Sequence, residues 1–153
     1  MKILVKYHSN ESDELQQIDV GNWIDLRIAE PIHMHAGEIA MISTGVSIEL
    51  PKGYEAIVAP RSSTILKYGL IMGNSIAVID APYCGDNDIW RNIWYATRDV
   101  DVPVNTRLSQ FRIIEAMPKI DIVKVDHLGH PDRGGYGSTG TGDFILHGTD
   151  SGK

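Results

Sequence analysis

Between residues 3 and 125 the apolar residues fall in short β-branched or alternating runs. Each run is closed within a few positions by Gly, Pro, Asn or Asp, and helical spacing is hard to find. This punctuation constrains the fold more than any other feature, and it predicts an all-β chain. The predicted strands are Ile3 to Tyr7, Ile24 to Ile28, Ile39 to Ser43, Val46 to Glu49, Tyr54 to Ala59, Ile76 to Ile79, Ile89 to Thr97, Arg107 to Glu115 and Ile120 to Val125. Thr44-Gly45, Pro51 to Gly53 and Ala81 to Tyr83 supply breaks. Only Ser62 to Tyr68 reads as a helix: it opens on N-cap residues and stops before Gly69, which suits a C-cap. One short helix fits a barrel or jelly roll. From Gly129 to Lys153 there are eight glycines in 25 residues, too many for a packed strand. Residues 1–128 are therefore expected to form one β-barrel domain, and residues 129–153 a glycine-rich arm that is flexible or orders on a ligand.

A chain of 153 residues, 42% apolar and 22% charged, is ordinary for one soluble domain. No apolar run approaches the ~20 residues that span a bilayer. The start, M-K-I-L-V-K-Y-H, is too short an apolar run for a signal peptide, and the lone Cys84 allows no internal disulfide, so a cytoplasmic location is expected. A net charge of −6 argues against nucleic-acid binding but leaves room for a locally positive pocket holding a small anion.

Several stretches carry chemistry. In S-I-A-V-I-D-A-P-Y-C-G-D, residues 75 to 86, Asp80 follows four apolar residues and is either the polar stop of a strand or a base at the edge of a dry pocket. R-G-G-Y-G-S-T-G-T-G, Arg133 to Gly142, has the parts of a phosphate cradle: glycines for close backbone approach, the hydroxyls of Ser138 and Thr139, and the fork of Arg133. It lacks P-loop spacing, and a flexible tail explains the composition equally well. Tyr136 among the glycines offers a ring that stacks on a flat base. P-R-S-S-T, Pro60 to Thr64, reads as a helix cap box or as an anion site with Arg61. R-L-S-Q-F-R-I, Arg107 to Ile113, is an alternating strand whose polar face carries Arg107, Ser109 and, with a turn of register, Gln110; edge-strand solubility explains it nearly as well. In G-N-W-I-D-L-R, Asp25 serves a metal or turns the chain. His33 and His35 in H-M-H share a strand face, but no C-x-x-C or H-x-x-x-H completes a zinc set, and no G-x-S-x-G elbow is present.

Five stretches occur in order: G-N-W-I-D-L-R (21–27), P-R-S-S-T-I-L-K-Y-G-L (60–70), N-S-I-A-V-I-D-A-P-Y-C-G-D (74–86), R-L-S-Q-F (107–111) and R-G-G-Y-G-S-T-G (133–140). Together they resemble the homotrimeric dUTPases, of the bacterial and phage type, over roughly residues 20 to 142. The resemblance implies a jelly-roll-like β-barrel with at most one short helix. It also implies hydrolysis of dUTP to dUMP and pyrophosphate, which limits uracil incorporation into DNA and supplies dUMP for thymidylate synthesis.

The resemblance further implies roles. Asp80 activates the water that attacks the α-phosphorus, and the apolar run before it limits bulk water. Tyr83 stacks on deoxyribose and leaves no room for a 2′-hydroxyl; Asn74 and Ile79 contact base and sugar, with a hairpin between Asn74 and Tyr83 reading uracil through main-chain groups. Arg61, Ser62, Ser63, Gln110, Arg133, Ser138 and Thr139 bind phosphates, and Tyr136 is the aromatic lid. Mg2+ is held mainly by substrate phosphates, with Asp25 contacting it through water. Sites are shared by three subunits, with the arm of one closing over a neighbouring site.

The chain departs from the family pattern in places. P-R-S-S-T stands for the usual P-R-S-G, Ala77 for a glycine, and the last motif lacks two residues before its aromatic. The two tryptophans of G-D-N-D-I-W-R-N-I-W, Gly85 to Trp94, are expected to supply part of the cover instead. Residues 143–153 lie beyond the resemblance. Two other readings stay open: a dCTP deaminase-type relative, which shares R-S-S and I-D-x-x-x-x-G but needs a catalytic glutamate for which this chain has no matching position, and a nucleotide-binding regulatory protein acting through a protein partner.

Overall fold

The computed structural model describes residues 1–134. By contact the chain divides into two units, Met1–Pro118 and Lys119–Lys153. The first contains strands β1 (Leu4–Tyr7), β2 (Ile24–Arg27), β3 (Ile32–Met34), β4 (Ile39–Ser43), β5 (Val46–Glu49) and β6 (Tyr54–Pro60), then helix α1 (Thr64–Tyr68). It continues with β7 (Leu70–Met72), β8 (Ala77–Ile79), β9 (Arg91–Ala96), β10 (Val100–Val102) and β11 (Arg107–Glu115). All pairings are antiparallel: β2-β11-β6-β8 form one sheet, β4-β9-β7 another, and β1-β5 and β10-β3 form two ribbons.

The fold is jelly-roll-like, with one core shared by all four sheets. Leu26, Ile32, Ile48, Val58, Leu70, Trp94, Val102 and Leu108 are buried in it, and they come from eight different strands. Trp90 and Phe111 meet edge to face at 5.2 Å, an arrangement that suits the ring quadrupoles. The alternation read in the sequence is the alternation of burial: in β9, Asn92, Trp94 and Ala96 point inward while Arg91 and Tyr95 point out.

The predicted breaks hold. Gly45 turns the chain between β4 and β5 at φ +70°, and a Cβ there would lie 2.7 Å from that of Ala29. Gly69 caps α1 in the left-handed region, donating its N–H to the Ile65 carbonyl.

Three strands escape the sequence pattern: β3, β7 and β10 are three residues each, and unlike the equally short β8 none lies in a four-residue apolar run closed by a polar stop. The run Ile120 to Val125 corrects the opposite error. It forms no strand, and Ile120, Ile122, Val123 and Val125 are exposed. Alternation supplies a strand's side chains but not the neighbour that takes up its N–H and C=O groups. The described residues from Lys119 onward contain neither helix nor strand.

Candidate functional site

Two depressions on Met1–Pro118 collect most of the residues predicted to act. The first lies where β2, β11 and β6 run side by side. Gln110 sits between Asp25 and Ala59 in the ladders, and Arg61 is the first residue after β6. The register shifts between Arg107 and Ser109. That shift lets Arg107 and Gln110, three positions apart, line one depression with Arg61, Ser62 and Asp25. Ser109 does not share that polar face as expected: it is 1% exposed, and its hydroxyl accepts a hydrogen bond from Asn92 Nδ2 at 2.6 Å. The Leu108 carbonyl, at the shift, accepts from the Arg61 N–H at 3.0 Å and from Thr64 Oγ1 at 2.6 Å. P-R-S-S-T is thereby tied to R-L-S-Q-F.

Asp25 lies between two guanidinium groups. Its Oδ1 is 2.9 Å from Arg61 Nε, and its Oδ2 is 3.2 Å from Arg107 Nη1. Arg27, Arg61 and Arg107 outnumber Glu14 and Asp25 around the rim, so the depression is locally positive on an acidic chain. The positive character of the depression rests on these arginines. Helix α1 has five residues, and its N-cap, Ser63, makes no side-chain cap bond. Ser63 lies outside the lining, while Ser62 belongs to it.

The second depression holds Ile79, Asp80 and Tyr83, with Met41, Ile89 and Arg91. Asp80 follows β8, and its carbonyl accepts the Tyr83 N–H at 3.0 Å, closing a turn through Ala81 and Pro82. The Tyr83 hydroxyl donates to the Ile89 carbonyl at 3.3 Å.

Three expectations are corrected here. The run before Asp80 is not dry on this chain: β8 is an edge strand paired only to β6, and Ile76 and Val78 are 50% and 53% exposed. The segment from Asn74 to Tyr83 is not a hairpin: β7 and β8 belong to different sheets, and Asn74 sits in the turn between them, accepting the Ile76 N–H at 2.6 Å. Asn74 does not line the depression. Trp90 and Trp94 do not cover it either; they are 1% and 0% exposed, because two large rings on a half-buried strand go to the core.

The two depressions have no lining residue in common. Arg133 belongs to the second unit, where it is exposed. Tyr136, Ser138 and Thr139 lie outside the described residues.

Two residues of the site escaped the sequence reading. Arg107 stood in a named motif but was indistinguishable from an edge-strand charge until the register shift turned it toward Asp25. Arg91 had no local signal at all.

Among the described residues, no group of three or more His, Cys, Asp or Glu converges on a metal position. A magnesium ion held mostly by phosphate oxygens and water needs no such cage. Asp25 has about four lone-pair positions, of which two face arginines, so it retains acceptor capacity for a metal-bound water.

Known proteins of one family are similar to this chain. The family model described as dUTPase matches residues 18–142. The SPbeta prophage-derived deoxyuridine 5′-triphosphate nucleotidohydrolase of Bacillus subtilis is 47% identical over 141 residues, covering 92% of this chain and 99% of that one. The deoxyuridine 5′-triphosphate nucleotidohydrolase of Leifsonia xyli is 36% identical over 118 residues, 76% of this chain and 77% of its own.

Among solved structures, a dUTPase of Staphylococcus bacteriophage 80alpha with dUpNHpp superposes with a TM-score of 0.75 at 19% identity, over 92% of this chain and 99% of that one. A dUTPase from phage phi11 of S. aureus, described as coordinating a structural Mg(II) ion, superposes with a TM-score of 0.71 at 17% identity, over 84% and 99%.

Proposed function

This chain belongs to the dUTPase family and is a dUTP diphosphatase, and from that premise we propose how its residues divide the work. The observation that carries the proposal is the separation of the two depressions: one has a carboxylate and a tyrosine on a turn, the other an arginine pair braced on Asp25. The first suits the nucleoside and the α-phosphorus, the second the anionic end of the triphosphate.

Asp80 accepts a proton from water as the water oxygen bonds to the α-phosphorus. The bond from that phosphorus to the bridging oxygen breaks, and pyrophosphate leaves with the electron pair. Tyr83 presents its ring to deoxyribose, excluding a 2′-hydroxyl by clash, and Ile79 bounds the base. Arg61, Ser62 and Gln110 take the phosphate oxygens, and Arg107 joins them. The arm residues Arg133, Ser138, Thr139 and Tyr136 close over the bound nucleotide. Asp25 would hold Mg2+ through a water beside the phosphate oxygens, and the ion would supply charge neutralisation on the triphosphate.

The working unit is a homotrimer in which the nucleoside half of one copy meets the phosphate half of another. Three features support this: the half-sites share no residue, β8 leaves an unpaired edge beside Asp80, and the outer face of β4-β9-β7 exposes Ile39, Met41, Tyr95 and Ile71. Contiguous exposed apolar side chains of this kind mark an interface.

Pyrophosphate release from dUTP, dCTP, dTTP and UTP tests the reading. Only dUTP is expected to turn over. Asp80→Asn should lose about 10²- to 10⁴-fold in kcat while still binding a non-hydrolysable dUTP analogue. Ammonia release from dCTP would overturn it.

A further inference from the structure

The depression around Asp80 is lined by apolar side chains, Tyr83 and one cation, Arg91. Arg91 opens β9 on the outer face of its sheet, opposite Ser43, one outward rung from Met41 and Ile93. Its position is set by alternation, because Asn92 and Trp94 take the inward places.

Of the six arginines between Met1 and Pro118, five are engaged. Arg61 and Arg107 hold Asp25, and Arg27 holds Asp13 and the Asn105 carbonyl. Arg98 donates to the carbonyls of Leu66 and Lys67, and Arg112 lies over the Trp23 ring. Arg91 alone forms no ion pair or side-chain hydrogen bond with any described residue, although it shares a concavity with a carboxylate.

We propose that Arg91 is a further substrate-binding residue of this enzyme, one whose guanidinium donates to the non-bridging oxygens of the α-phosphate beside Asp80. This rests on the assignment of Asp80 as the base. A phosphate brought to a carboxylate is repelled by it, and the arginines that bind the rest of the triphosphate lie in the other depression. A cation in Asp80's own depression offsets that repulsion. It also meets the charge that spreads over the equatorial oxygens as the bond to the leaving group stretches. The planar fork suits two phosphate oxygens at once. In this arrangement the same chain supplies both the base and the cation at the reacting phosphorus.

Four quantities on the purified full chain test this: kcat and KM for dUTP, and the inhibition constants of dUMP and deoxyuridine, measured for wild type, Arg91→Gln and Arg91→Lys. Arg91→Gln should lower kcat/KM about 10- to 100-fold, the loss of a charged hydrogen bond. It should weaken dUMP by a similar factor and leave deoxyuridine unchanged, a difference that a merely structural role would not produce. Arg91→Lys should recover part of the loss, keeping the charge without the fork. Unchanged kinetics in Arg91→Gln, or equal weakening of dUMP and deoxyuridine, would overturn the assignment while dUTP turnover by the wild type left the main function standing. Absence of dUTP turnover in the wild type would overturn both.

Discussion

Tyr83 is the residue proposed to choose the sugar. Its ring is placed by two bonds, the N–H to the Asp80 carbonyl and the hydroxyl to the Ile89 carbonyl, so one turn carries both the proposed base and the ring proposed to meet the sugar. Tyr83→Ala should therefore relax sugar discrimination, raising kcat/KM for UTP relative to dUTP by about 10-fold or more, since clash rather than a missing bond excludes the ribonucleotide. Competition assays with the two nucleotides check it, and an unchanged ratio would move the discrimination elsewhere. That Asp80 and Tyr83 share one turn was legible from the sequence as part of an ordered motif. Arg107 and Arg91 were not, because one needs a register shift and the other a fold-level meeting of β9 with the turn after β8 before either faces a site.

Elements set the accuracy of these placements. Thr64 is 1% exposed, and its hydroxyl meets the Leu108 carbonyl, which also takes the Arg61 N–H. Thr64→Val keeps the shape and removes the donor; it should cost about 1–2 kcal/mol of stability, read by denaturant unfolding, and raise KM for dUTP as Arg61 loosens. No change in either would mean the tie is incidental.

At the β10 edge, the Asp99 carboxyl is held below its usual range, first by the Ala36 N–H at 2.9 Å and then by the His35 ring. A lowered carboxyl contributes stability above the ordinary carboxylate pKa near 4, and loses it as pH falls through the folded value. Hydrogen exchange at the Ala36 amide should accelerate in acid below that range relative to its neighbours, and Asp99→Asn should abolish the difference. Strands of four residues or more were readable by alternation, whereas β3, β7 and β10 exist because neighbours pair with them. Ile120 to Val125 has the alternation without the neighbour.

On the scale of the whole molecule, the jelly-roll-like layout came with the resemblance to the dUTPases, while the all-β class followed from punctuation between short apolar runs, because that pattern depends on each segment alone. The split of the site did not follow from it, since no local pattern says that Asp80 and Arg61 line separate depressions of one chain. In the proposed trimer the two halves act together across copies. Subunit mixing tests it most directly: Asp80→Asn and Arg61→Ala, each nearly inactive alone, are co-refolded in equal amounts and assayed for pyrophosphate release from dUTP. Random assortment places an intact Asp80 opposite an intact Arg61 at about one interface in four, so about a quarter of wild-type activity should return. Mixed assemblies no more active than the separate variants would place both halves of each site on one chain and contradict the account.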